Sequence, residues 1–119
     1  MSLFVYGIPT CNSCKKARKW LESKSIEYTW VNTRKTPPNE KQINVWIADI
    51  GNKSMRNTSG GSYRALGDEK HTWSDDQWGK AFANDAMLLK RPLFVQDNKA
   101  LFTGFRGSDE EIASKLGKN

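Results

Sequence analysis

The sequence has few of the residues that build disulfide frameworks and metal sites. Its 119 residues include two cysteines and one histidine. Two cysteines exclude the disulfide-dense class of small secreted domain. Together with His71 they supply three soft ligands, fewer than a structural zinc site requires, and there is no second CxxC pair. We therefore expect no metal site, and a chain of this length can bury a single core without disulfides.

Long hydrophobic runs and targeting signals are also missing. No stretch approaches the roughly 18 apolar residues that a membrane span requires, and the N-terminus lacks the basic and apolar regions of a secretory signal. We therefore expect a cytoplasmic protein that makes no membrane contact. In a reducing compartment, paired cysteines are more often catalytic or redox-sensing than structural.

The charge balance is basic, with a net charge of +6. Such a balance favours anionic substrates or acidic partners over cationic ones. The basic residues are scattered along the chain and lack the aromatic interleaving of single-strand-binding proteins, so we expect no direct nucleic-acid binding. A glycine-rich phosphate loop between a strand and a helix is also missing, which argues against a nucleotide cofactor.

The most informative motif is the CxxC pair formed by Cys11 and Cys14. It follows an apolar run typical of a buried strand, residues 3–6, and precedes a helix predicted over about 12–24. At the start of a helix, unpaired N–H groups and the helix dipole favour a thiolate, so Cys11 is the predicted nucleophile. Cys14 lies about one turn further on the same face, close enough for a disulfide with Cys11. The alternative for Cys14 is a small buried residue on the helix.

Strand signals flank a helical middle. Residues 27–31 alternate and are rich in strand formers, so a parallel βαβ unit is predicted at the N-terminal end. Isoleucines and a tryptophan at helical spacing predict a helix from Asn39 to Gly51. A capping-box pattern at Ser74–Gln77 predicts the start of another helix, with a break near Asn84 before it resumes to Leu89.

The C-terminal part reads as a hairpin followed by a helix. Residues 93–103 are the hairpin, and a second capping box at Ser108–Glu111 opens the last helix. We therefore predict one α/β domain over residues 1–119 with a thioredoxin-like fold. Its four-stranded mixed sheet carries a helical insertion, approximately residues 37–90, between a βαβ half and a ββα half.

Several stretches together resemble the arsenate reductase/Spx family of thioredoxin-like proteins, in the family's order and spacing. The resemblance implies a cis peptide bond before Pro92, with Arg91 and Pro92 facing the cysteine loop. The stretches are Tyr6–Cys11, Lys15–Leu21, Met55–Thr58, Tyr63–Gly67 and Leu88–Pro92.

In the arsenate reductases of this family, the cysteine attacks the arsenic of arsenate and arginines hold the oxyanion. Arg56, Arg91 and Arg106 match the family's arginine positions, so the resemblance implies that they bind substrate. Guanidinium groups suit this role because their planar fork pairs two oxygens of a tetrahedral anion and stays charged. The alternative for each arginine is a solvated surface charge, and it is weakest for Arg91 beside Pro92.

Cys14 leaves two functions open. The resemblance to the enzymes implies a thiol oxidoreductase that acts on arsenate or another small oxyanion, with Cys14 as the resolving thiol. Such an enzyme is expected to hold no bound cofactor, and an external reductant (glutathione with glutaredoxin, or thioredoxin) would restore its thiols. A cysteine at this position is also the mark of Spx-type redox switches, which implies a regulator that binds the C-terminal domain of the RNA polymerase α subunit. Arg106 favours the enzyme and Cys14 favours the regulator.

Overall fold

The computed structural model describes residues 2–117. Its strands are β1 (Leu3–Gly7), β2 (Thr29–Asn32), β3 (Leu93–Gln96) and β4 (Lys99–Thr103). Its α-helices are α1 (Asn12–Ser23), α2 (Glu40–Ile50), α3 (Gly61–Ala65), α4 (Asp75–Asn84) and α5 (Asp109–Lys115). Short 3-10 helices lie at Lys53–Met55, Asp68–Thr72 and Ala86–Leu88.

The four strands form one mixed sheet in the order β2-β1-β3-β4. β1 and β2 run parallel with α1 between them, whereas the β1–β3 and β3–β4 pairs are antiparallel. The segment from α2 to the last 3-10 helix lies between the βαβ and ββα halves. This is the predicted thioredoxin-like arrangement, and the fold class is confirmed.

Polar side chains set the starts of three helices. The side chain of Asn39 accepts a hydrogen bond from the backbone N–H of Gln42 at the start of α2. Ser74 and Ser108 open α4 and α5 with complete capping boxes. These bonds satisfy N–H groups that have no partner within the helix. All three starts agree with the predicted ones because they depend on residues within one helical turn.

The structure departs from the expected elements in two places. β2 begins at Thr29 rather than residue 27, because its pairing with β1 begins where Thr29 lies opposite Phe4. The short helix α3 and the 3-10 helix Asp68–Thr72 were not predicted from the sequence. α3 has five residues and none of them is buried, so it carries no apolar periodicity that could reveal it.

The sheet separates two apolar layers. On one face, Val5 and Phe94 pack with α1 and α5; on the other, Leu93 and Val95 pack with α2 and α4. Alternate residues of β3 thus serve opposite layers, as strand geometry requires. The second layer holds the two largest fully buried side chains, Trp46 and Trp78. Among residues 2–117, each helix is too short or too polar to span the bilayer.

The cap of α5 generates a stability prediction. Replacing Ser108 by alanine removes the oxygen that accepts the N–H of Glu111. We expect the free energy of unfolding to fall by about 1 kcal/mol, because one helix N–H loses its partner while Ile112 still depends on the helix for burial. Urea denaturation followed by circular dichroism measures the change.

The matched control is Ser114→Ala, the same chemical change inside the same helix. Ser114 is exposed and does not cap α5, so its effect should stay within about 0.5 kcal/mol. Equal effects of the two substitutions would contradict the assigned capping role.

Candidate active site

Pairing of β1 with β3 brings two separate parts of the chain to one edge of the sheet. Tyr6 lies opposite Leu93 in this antiparallel pair. The loop that leaves β1 toward Cys11 therefore meets the Arg91–Pro92 segment that enters β3. The peptide bond between Arg91 and Pro92 is cis, as the resemblance implied. The hairpin returns to the same edge, where the N–H of Gly104 donates to the carbonyl of Pro92 at 2.9 Å.

Cys11 occupies the N-cap position of α1 and is half-buried. Its burial acts to raise the thiol pKa, but several groups oppose it: the backbone N–H of Cys14, the thiol of Cys14, the N–H of Ser13 and the charge of Arg91. Together they hold the pKa of Cys11 below its ordinary value. The first turn of α1 thus stabilises a thiolate without a histidine.

Cys14 has the opposite character, although it lies one turn away. It is fully buried, and that burial, reinforced by the negative charge of Cys11, raises the pKa of Cys14 to about 12. Both cysteines are free thiols in this structure. Cys11 is therefore the more readily ionised of the two thiols, and Cys14 is a protonated neighbour.

The pocket around the Cys14 sulfur depends on a glycine and a tryptophan. A Cβ atom on Gly7 would lie 2.4 Å from Sγ of Cys14 and 3.0 Å from Cη2 of Trp30. Any side chain at position 7 would displace one of them. The guanidinium carbon of Arg18 lies 4.4 Å from the centre of the Trp30 indole and holds the ring in place. The sequence motifs gave no signal for Trp30, since its spacing is that of an ordinary core aromatic.

A cleft of about 460 Å³ opens beside Cys11. Four of the residues that line it are cationic and none is acidic, so it presents positive charge around the thiolate. The lining consists of Cys11, Ser13, Lys16, Asn57, Ser59, Lys90, Arg91, Gly104, Phe105 and Arg106.

Arg91 and Arg106 both line the cleft and come from different segments of the chain. One Arg91 nitrogen, Nη1, donates to the carbonyls of Leu89 at 3.3 Å and Met87 at 3.4 Å. Its Nε is buried and has no hydrogen-bond partner within residues 2–117. Arg106 is exposed at the rim, next to Phe105, whose ring packs edge-on against Trp20 at 6.1 Å. Arg91 thus lines the cleft together with Cys11, while its guanidinium is held by the carbonyls of Met87 and Leu89.

Arg56 is not among the cleft-lining residues. Its guanidinium carbon lies 4.1 Å from the centre of the Trp78 ring, and Nη2 donates to the side-chain oxygen of Asn52. The backbone at Arg56 is extended, so consecutive side chains point to opposite sides and Asn57 faces the cleft instead. The structure therefore brings two of the three family arginines to Cys11 and directs the third toward α4.

Sequence reasoning assigned no site role to several residues of the lining, among them Asn57 and Lys90. Asn57 follows Arg56 directly, and its proximity to the cleft depends on the bridge between Arg56 and Leu89. Lys90 precedes Arg91, which the resemblance did single out, and this adjacency was the available signal. Lys16, which is exposed on α1, also lines the cleft.

The chain is similar to proteins of several bacteria. It is 34% identical over 110 residues to the uncharacterised protein YusI of Bacillus subtilis, which covers 89% of this chain and 92% of that protein. It is 25% identical to the global transcriptional regulator Spx of Lactiplantibacillus plantarum, over 92% of this chain and 83% of the regulator.

Solved structures show the same architecture. A crystal structure described as a possible arsenate reductase from Streptococcus mutans superposes with a TM-score of 0.84 and 37% sequence identity. The match covers 92% of this chain and 96% of that one. The family model described as the ArsC family matches residues 6–113, nearly the whole chain. The chain therefore belongs to the ArsC family, the arsenate reductase/Spx family that its sequence motifs indicated.

Proposed function

We propose that this protein is a thiol oxidoreductase of the arsenate reductase type. The supporting observation is the cationic cleft, in which the low-pKa thiol of Cys11 lies among four cationic lining residues and no acidic one. A thiolate next to guanidinium groups can attack an electrophilic centre carried by an oxyanion, because the arginines offset the charge of both reactants. The substrate is arsenate or a small oxyanion of the same shape.

The first step uses Cys11, Arg91 and Arg106. The two arginines bind the oxygens of arsenate and hold its arsenic against the Cys11 sulfur. The thiolate donates its electron pair to arsenic, a sulfur–arsenic bond forms, and one arsenic–oxygen bond breaks to release water after protonation from solvent. Arsenic remains pentavalent in this covalent intermediate.

The second step uses Cys14 as the resolving thiol. Its sulfur attacks the sulfur of Cys11, a disulfide forms, and the electron pair of the broken sulfur–arsenic bond stays on arsenic, which leaves as trivalent arsenite. The Cys14 proton goes to the departing arsenite. Formation of the Cys11 adduct removes the negative charge that helps to raise the pKa of Cys14, so the resolving thiol becomes easier to deprotonate at that stage.

An external thiol completes the proposed cycle. The dithiol supplies the two electrons that reduce arsenate, and the resulting disulfide must be reduced by thiol–disulfide exchange. Thioredoxin, or glutathione with glutaredoxin, is the class of reductant proposed. Cys11 is the more exposed of the two sulfurs and is the one an incoming thiolate would attack.

A second candidate function is an Spx-like redox regulator. It is favoured by the similarity to a global transcriptional regulator and by the CxxC pair, which could change a binding surface when oxidised. Its partner would be the C-terminal domain of the RNA polymerase α subunit. Binding of that purified domain to the reduced and the oxidised chain, measured by calorimetry, tests this candidate. No binding in either redox state would remove it.

Replacing each cysteine by serine should block a different step of the proposed reaction. Cys11→Ser should abolish arsenite production, because a serine hydroxyl is not ionised at neutral pH. Cys14→Ser should still form the Cys11 adduct but release arsenite only when an external thiol is added. Mass spectrometry of the intact protein distinguishes adduct from disulfide. Full arsenite production by Cys11→Ser would contradict the proposal.

The thiol pKa values give a pH prediction. Alkylation by iodoacetamide follows the thiolate fraction, so the rate at Cys11 should rise with pH with a midpoint below pH 9, the ordinary thiol value. Cys14 should stay slow over that range because its pKa is about 12. Peptide mass spectrometry reports the two rates separately.

The effect of the Arg91 charge on the pKa of Cys11 can be measured by the same alkylation experiment. Arg91→Met should move the Cys11 midpoint to higher pH, because a positive charge that stabilises the thiolate is lost. Arg64→Met is the matched control, since Arg64 is exposed on α3 and is not among the residues that affect Cys11. Equal midpoints for the wild type and Arg91→Met would contradict the assigned electrostatics.

A further inference from the structure

Lys90 is a cation of the cleft to which neither the sequence motifs nor the proposed reaction assigns a role. It directly precedes Arg91, and both residues line the cleft together with Cys11. None of the salt bridges found within residues 2–117 involves Lys90; they are Lys24–Asp109 and Lys80–Glu40. Its ammonium group is therefore not neutralised by a carboxylate of the described chain.

The position of the Lys90 side chain depends on Gly104. A Cβ atom at Gly104 would lie 3.1 Å from Cε and 3.6 Å from Nζ of Lys90. The lysine stem thus lies directly on the glycine backbone, which has a φ of +81°, a value that favours glycine. Lys90, Gly104, Arg91 and Arg106 all line the cleft, so this contact forms part of its wall.

The Arg56 side chain is directed away from the same cleft. Its guanidinium stacks on Trp78 and bonds to Asn52, whose amide in turn donates to Asp75 at 2.6 Å. Moving Arg56 to Cys11 would require breaking these contacts within the helical insertion. The backbone at Arg56 also directs its side chain away from the cleft, since Asn57 occupies that side.

We propose that Lys90, seated on Gly104, is the third cation of the oxyanion subsite and takes the place that the family pattern gives to Arg56. This inference rests on the proposed function for the identity of the substrate, but not for the binding of an oxyanion. A tetrahedral dianion and the Cys11 thiolate carry three negative charges, and Lys90, Arg91 and Arg106 would balance them, with Lys16 as a fourth, exposed cation of the lining. An ammonium group suits this position because it is compact and rotates its three donors toward any oxygen.

Binding can be measured without turnover. Phosphate and sulfate are tetrahedral oxyanions that cannot be reduced by the thiols, and their binding should protect Cys11 from iodoacetamide. The concentration dependence of that protection gives a dissociation constant at constant ionic strength set with chloride. The reduced, full-length protein is used throughout. A failure of arsenate reduction would overturn the proposed function but would leave this binding measurement unaffected.

Lys90→Met should weaken phosphate binding about tenfold or more, as expected for the loss of a hydrogen bond to a charged group. Lys90→Arg should recover part of the affinity because it retains the charge. Lys19→Met is the matched control, because it removes the same charge from an exposed site on α1 outside the cleft lining. Its dissociation constant for phosphate should change less than twofold.

Two further variants test whether Arg56 binds the anion and whether Lys90 acts through its contact with Gly104. Arg56→Met should leave the phosphate constant within about threefold of the wild type, a change too small for a lost charged contact. Gly104→Ala should weaken binding strongly in the wild type and less in the Lys90→Met background, because the two positions act through one contact. A larger loss from Arg56→Met or Lys16→Met than from Lys90→Met would overturn the proposal. So would a Lys90→Met effect no greater than that of Lys19→Met.

Discussion

The antiparallel pairing of β1 with β3 is the constraint on which the site depends. Because β1 ends where β3 begins, the chain that leaves Gly7 and the chain that enters Leu93 meet at one edge of the sheet. The first carries Cys11 into the N-terminus of α1, and the second carries Arg91. Neither segment could form a cationic thiol site alone, and the buried layers on both faces fix the register that aligns them.

Two thiols one turn apart acquire opposite properties from their positions on α1. Cys11 lies before the first turn, where backbone N–H groups have no helical partner, and its pKa falls. Cys14 lies inside the helix, against the bare backbone of Gly7 and beside Trp30, and its pKa rises to about 12. The same arrangement therefore provides a reactive sulfur and a protected one. In the proposed cycle this difference fixes the order of attack, with Cys11 first and Cys14 second.

The sequence was sufficient to predict those features that depend on residues close together in the chain. The capping boxes at Ser74 and Ser108 and the strand–CxxC–helix pattern around Cys11 involve neighbours in the chain, and each appears where expected. The direction of Arg56 was not predictable in this way, because it is set by Trp78, which lies in another helix. The contact of the Lys90 side chain with Gly104 was not predictable either, because the two residues lie in separate segments of the chain. All three arginines match the family's sequence pattern, but contacts with distant parts of the chain decide which of them line the cleft beside Cys11.

A single turnover of the reduced wild-type protein with arsenate, without added thiol, tests the central claim most directly. Arsenite and the Cys11–Cys14 disulfide are quantified over time at low oxygen. The account predicts that they appear at the same rate and in equal amounts, since one dithiol supplies the two electrons that reduce one arsenate. Disulfide without arsenite, or oxidation by peroxide with no response to arsenate, would contradict it and favour the redox regulator.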